Sequence, residues 1–205
     1  MFSAAPVPVH LGVWQMTSPV LEAGAHLLDT LDSTQSKWVV TAVQRSKVSV
    51  QKGPSLRHLL QLSLTACGTP WSSQGAESEW LNAGIHLTLF LPDACFDTFK
   101  MPCMPQWGPQ DIEAECRLEA ARLMRRPLEA LILDFEVQAT PDRSLVAHVM
   151  VCENAMVQAA KRMFEKLGFK LNSLTCHSDL QAYAHGWKVS PDLLNSMVHE
   201  AVAAC

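Results

Sequence analysis

The residues able to do chemistry are thiols, imidazoles and carboxylates, and their spacing restricts what that chemistry can be. Cys176 stands directly before His177, and Cys67 follows His58 nine residues later. A thiol hydrolase needs both groups within hydrogen-bond reach, with an oxyanion site beside them. Neighbours on a strand point to opposite faces, so Cys176 and His177 pair only if the chain turns there. His58 and Cys67 are too far apart on one helix to touch. No GxSxG stretch occurs for a serine nucleophile. Asp134 and Glu136 share one strand face, with His148 on the strand expected to face them. Paired carboxylates in a cleft can move protons. On the wet side of a hairpin the same residues are only a cross-strand polar set. No catalytic residue is expected.

Seven cysteines, an odd and scattered number without any CxxC pair, give no zinc spacing and no disulfide framework. Free thiols in a reducing compartment are the expectation, with no metal site. A phosphate site needs glycines that let backbone N–H groups approach the oxygens. Neither GxxxxGK[ST] nor GxGxxG is present. The nearest counterpart is the stretch 29–37, where Asp32, Ser33, Thr34 and Lys37 offer carboxylate, hydroxyls and one cation but no glycine. Those four residues form a degenerate phosphate-loop candidate that also reads as a solvated turn.

The elements positioning these groups follow from periodicity. Residues 1–30, interrupted by Pro6, Pro8 and Pro19, read as an irregular arm. Residues 37–43 and 47–51 read as adjoining strands rich in Val. Ser55 then caps a helix to about residue 66, closed by Gly68. Residues 85–91 predict a strand, and 96–101 a shorter one ended by Pro102. A helix follows over 111–126, acidic at its start, basic at its end, and stopped by Pro127. Strands over 129–138 and 144–151 make a hairpin around the turn 139–143. A helix from about residue 154 to Gly168 and a strand over 170–176 complete a strand–helix–strand unit, and 178–184 and 190–204 close as helices. Trp14, Trp71, Trp80, Trp107 and Trp187 fall in loops or at element ends, where an aromatic anchors a partner or plugs a core.

The chain is an ordinary globular composition, 48% hydrophobic and 18% charged, with net charge −4. An acidic balance speaks against nucleic-acid binding, which needs an excess of Lys and Arg. The start Met1-Phe2-Ser3-Ala4-Ala5-Pro6 is a poor signal peptide. No run of about eighteen apolar residues exists to insert in a bilayer. The expected class is therefore a cytoplasmic mixed α/β protein.

From Gly84 onward the order of elements is specific as an arrangement. Ile85-His86-Leu87-Thr88-Leu89-Phe90-Leu91-Pro92 precedes Phe99-Lys100-Met101-Pro102 and a helix bearing Glu113-Ala114-Glu115 and Glu119-Ala120-Ala121. Leu131-Ile132-Leu133-Asp134-Phe135-Glu136-Val137, then Val149-Met150-Val151, Leu167-Gly168-Phe169-Lys170 and Asp179-Leu180-Gln181-Ala182 complete the series. This order resembles the PilM family, actin-like proteins of type IV pilus machines, across roughly residues 84–186. The cytoplasmic parts of GspL proteins of type II secretion share that fold.

The resemblance implies a partial actin-like (ribonuclease H-like) domain over 31–205, with mixed sheet, flanking helices and two subdomains, divergent and lacking the family's second lobe. It implies a non-catalytic scaffold of a type IV pilus or competence assembly platform, peripheral to the inner membrane through a PilN-like membrane protein whose cytoplasmic N-terminal segment it binds. No cofactor is expected; ATP enters by family resemblance alone, as the alternative reading of an actin-like nucleotide binder.

Overall fold

The computed structural model describes residues 8–15, 38–44, 47–68 and 85–179, with residues 183, 190, 192 and 196. Two compact units are present: residues 1–93 with 159–205, and residues 94–158.

The first unit is built on a five-stranded sheet. Strands β1 (Val9–Gln15), β2 (Trp38–Gln44) and β3 (Lys47–Gly53) form an antiparallel meander. Strands β4 (Ile85–Leu91) and β8 (Leu171–Cys176) extend it in parallel, giving the order β3-β2-β1-β4-β8. Helix α1 (Leu56–Ala66) packs on β2 and β3 through Leu56, Leu59, Leu60 and Leu64. The Ser55 hydroxyl accepts from the His58 N–H at 3.5 Å and starts that helix. Gly68, at φ 73°, takes the left-handed turn beyond its end.

Within the stretch 1–30, expected as an irregular arm, Val9–Gln15 is instead a strand in the middle of the sheet, and residues 1–7 and 16–30 lie outside the described residues. Strands buried on both faces lose the alternation by which a strand is read from sequence. Val9, Leu11, Gly12, Val13 and Trp14 are all buried. Trp14, expected in a loop, stacks instead on its in-register neighbour Phe90, with ring centroids 4.4 Å apart and planes parallel. The indole lies back over Gly12, where a Cβ would meet Trp14 Cη2 at 2.3 Å and Thr41 Oγ1 at 2.8 Å. Gly12 therefore leaves the space that the indole fills. Along β8 the register shifts at Asn172, whose side-chain Oδ1 accepts the Leu87 N–H at 2.9 Å. The bulge thus keeps that edge of β4 satisfied.

The second unit is an antiparallel sheet in the order β5-β7-β6: β5 (Asp97–Cys103), β6 (Leu131–Ala139) and β7 (Leu145–Glu153). Helix α2 (Pro109–Met124) packs on it, and Met101, Cys103, Ile112, Cys116, Ala120, Leu131, Ala147, Val149 and Val151 form the core. The Gly108 N–H donates to Asp111 Oδ2 at 2.9 Å at the start of α2, and Arg125 at φ 53° ends it. Trp107 plugs this core from the loop before the helix.

The Thr140 N–H donates to the Ser144 carbonyl at 2.8 Å, which sets the alternation of the β6–β7 ladder. Counting back from that pair, Gln138, Glu136, Asp134 and Ile132 bond β7, while Val137, Phe135 and Leu133 turn their backbone N–H and C=O away from it. The same count across β7 turns the Pro102 nitrogen outward. Pro102 therefore costs no ladder bond on its edge strand, so β5 runs through it to Cys103 rather than ending there.

Helix α3 (Asn154–Lys166) ends in a Schellman turn, with Gly168 at φ 82° and the Phe169 N–H donating to the Phe164 carbonyl at 2.8 Å. Val157, Ala160, Phe164 and Leu167 are its buried side, as their spacing predicts. The expected strand–helix–strand unit does not form, because β7 belongs to the three-stranded sheet and β8 to the five-stranded one. The parallel partner of β8 is β4, far earlier in the chain. A 3-10 turn at His177–Asp179 stands where the sequence predicts the start of a helix over 178–184; most of that helix, and of 190–204, lies outside the described residues.

Gly12→Ala should lower the stability of the first unit by about 1–3 kcal/mol through overpacking against the indole. Adding Trp14→Leu removes the ring atoms that the new Cβ meets. The double variant should then lose measurably less than the sum of the two single losses in urea unfolding.

Candidate functional site

In open α/β sheets, ligands bind outside the carboxyl ends of the parallel strands. Here those ends are Gln15, Leu91 and Cys176 of β1, β4 and β8. Asp93 follows β4 by two residues, and its Oδ1 accepts the Ser178 N–H at 3.0 Å, tying the ends of β4 and β8 together. Asp179 accepts from the Thr175 hydroxyl, and the Cys176 sulfur lies 3.1 Å from Ser178 Oγ. Two carboxylates, two hydroxyls and one thiol thus gather at one sheet edge. The arrangement is acidic, and its described donors are already engaged with its own acceptors.

The thiol there is poorly suited to nucleophilic catalysis. Burial pushes the Cys176 thiol above its ordinary range, and Asp179 adds to that, against the lowering hydrogen bond from Ser178. A catalytic cysteine needs the opposite shift, since the thiolate is the nucleophile. Cys152 and Cys116 are each pushed up to about 11, first by burial and then by nearby acidic groups. Cys103, Cys116, Cys152 and Cys176 are free thiols, three of the four within the second unit.

The structure separates the other sequence candidates. Asp134 and Glu136 lie on the exposed face of β6, and His148 stands directly opposite Glu136 in the ladder, with Lys100 on its other side. This is a solvated cross-strand row rather than a cleft. His58 and Cys67 lie at opposite ends of α1, one in its first turn and one at its C-cap. The phosphate-loop candidate Asp32, Ser33, Thr34 and Lys37 lies outside the described residues, in the connection between β1 and β2. Trp71, Trp80 and Trp187 also lie outside them. Asp93 was not singled out by its sequence context; an aspartate two residues past a parallel strand is the signal that marks it. Among the described residues, no group of three or more His, Cys, Asp or Glu is placed to hold a metal ion. Among them, too, no helix is long and apolar enough to cross a membrane.

An antiparallel meander continued by two parallel strands, with a second compact unit inserted between β4 and β8, is an actin-like, ribonuclease H-like topology. Solved structures agree on that fold. The chain is similar to the cytoplasmic domain of EpsL, an inner-membrane component of the type II secretion system of Vibrio cholerae, at 12% identity and TM-score 0.50, over 82% of this chain and 57% of that one. It is equally similar to a chain of the PilM–PilN type IV pilus biogenesis complex, at 13% identity and TM-score 0.50, over 88% of this chain and 50% of that one. The chain therefore spans about half the length of these two structures. Comparison with protein-family models and with curated proteins gives no match.

The raised thiols set a pH window. Folded Cys116 and Cys152 hold their protons to about 11, above their ordinary value of 9.0. Between these values the folded state binds more protons than the unfolded one, so stability is full below the lower value and falls as pH rises toward the upper. The urea midpoint should drop between pH 8.5 and about 10.5. Replacing Cys152 with Ser, which does not titrate there, should flatten part of that drop.

Proposed function

We propose that this chain is a non-catalytic scaffold domain of a type IV pilus or type II secretion assembly platform. In this reading it works on the cytoplasmic side of the inner membrane and binds the N-terminal cytoplasmic segment of a PilN-like membrane protein. The observation that carries the reading is the fold match over 88% of the chain to a component of the PilM–PilN complex. The chemistry of the described residues supports the non-catalytic part: the buried thiols are shifted away from reactivity, and the acidic row on β6 is solvated. An extended partner segment would gain affinity from main-chain bonds and specificity from side-chain pockets.

A second reading, an actin-like nucleotide binder, is favoured by one observation. Asp93 and Asp179 stand at the carboxyl ends of β4 and β8, where such sheets place ligands and where carboxylates could hold a cation accompanying phosphates.

Isothermal titration separates the two. With a synthetic PilN-type N-terminal peptide the scaffold reading expects saturable binding, unchanged by Mg-ATP. Heat from Mg-ATP alone that disappears in Asp93→Asn would transfer the assignment to the nucleotide reading. Absence of peptide binding up to about 1 mM, an affinity near −4 kcal/mol, would remove the scaffold assignment.

A further inference from the structure

The two edges of the three-stranded sheet are built differently. β5 carries Lys100 and Pro102 with the Pro102 nitrogen turned outward, two devices that blunt an edge against further pairing. β6 carries neither. It runs nine residues, Leu131–Ala139, in unbroken register with β7, and every position from Glu136 to Ala139 is exposed. Leu133, Phe135 and Val137 turn their backbone groups away from β7, so β6 offers a row of donors and acceptors on its open side.

One of these donors is held locally. The Phe135 N–H donates to Oδ1 of its own neighbour Asp134 at 2.9 Å. That bond agrees with the ladder count, which leaves this amide out of the pairing with β7. It also means that a strand added to β6 must draw the Asp134 carboxylate aside. Glu136 stands two residues on, on the same face.

We infer that the β6 edge is a docking site for an extended segment of alternating basic and apolar residues from a protein partner, with Asp134 as the latch over the Phe135 amide. Basic side chains opposite Asp134 and Glu136 form favourable cross-strand pairs, and one of them draws the latch away from the amide. The apolar alternates meet the half-buried Leu133 and Phe135 and the exposed Val137 on the other face. A second copy of this chain is disfavoured as the occupant. Antiparallel pairing of β6 with itself about Phe135 sets Asp134 against Glu136 twice, and like charges placed opposite repel. This site does not depend on the assembly proposed above, and it fails or stands separately.

Fluorescence anisotropy with the full chain tests it, using a labelled seven-residue probe of alternating valine and lysine and a matched probe with glutamate in place of lysine. The lysine probe is expected to bind, more weakly as salt rises, and the glutamate probe not to bind. Asp134→Lys with Glu136→Lys should reverse that preference, each probe's affinity changing by about tenfold or more. Val137→Pro removes an outward N–H without removing a bond to β7, and it should abolish binding while circular dichroism shows the fold intact. A lysine probe N-methylated along one edge should likewise fail on the unaltered chain, a test that needs no variant to fold. Equal binding of both probes, unchanged binding to Val137→Pro or of the methylated probe, or no binding at about 1 mM, each overturns the proposal. A dimer of the chain that Val137→Pro dissolves would overturn it too, by giving the edge to a second copy.

Discussion

The close approach of Trp14 to its own backbone at Gly12 is the constraint on which the first unit depends. β1 is the strand that both halves of the five-stranded sheet share, antiparallel to β2 on one side and parallel to β4 on the other. The indole lies over Gly12 and parallel to Phe90, and Phe90 in turn meets Tyr183 in a T-shaped contact with ring centroids 5.3 Å apart. One aromatic stack thus reaches from β1 across β4 to a residue beyond β8. Aromatic contacts of this kind add about 0.5–1.5 kcal/mol beyond the area they bury. Their larger consequence is register. A slip of one residue against β4 would carry Trp14 and Gly12 together to the opposite face and break the stack on Phe90.

The two units differ in how their polar residues are used. In the first, polar groups among the central strands tie secondary structure together: the Thr41 hydroxyl reaches the Gly12 carbonyl, Asn172 fills the bulge of β8, and Asp93 joins the ends of β4 and β8. In the second, the ion pairs are on the surface. Arg117 with Glu113, Arg122 with Glu119 and Arg126 with Glu153 are all substantially exposed, and such pairs contribute roughly 0–1 kcal/mol each. Its stability rests on the shared apolar core of α2 and the three strands, in which the thiols of Cys103 and Cys116 serve as small hydrophobic groups.

Local chemistry was legible in the sequence where one face of an element is wet. The β6–β7 hairpin, α1 with its Ser55 cap and the Gly168 stop all stand where alternation, caps and glycine place them. β1 was not legible, because a strand buried on both faces shows neither period 2 nor a polar side, and because the prolines around it resemble loop punctuation. The sheet partner of β8 was hidden for a different reason. Sequence adjacency suggests β7, but pairing is decided by non-local burial, and nothing local marks β4 as the partner. The candidate site at the ends of β4 and β8 was not legible in the sequence. Asp93 meeting Ser178 is a contact between residues 85 positions apart, which no local pattern carries.

The pairing of β5 with β7 has a consequence for how the chain can fold. Asp97 lies opposite Val151, so the residues by which the chain enters and leaves the second unit are held about one strand spacing apart, roughly 5 Å. The parallel pairing of β4 with β8 must close a long connection, and the entropy lost in closing a loop grows with its length. Once the β5–β7 ladder has formed, that connection behaves as a short one. Within the inserted unit the β6–β7 hairpin has low sequence separation, the kind of contact that forms fast, whereas β5 must find β7 from farther along the chain. Completion of the β5–β7 ladder would act as a clasp, bringing β8 toward β4 and converting a slow long-range search into a local docking step.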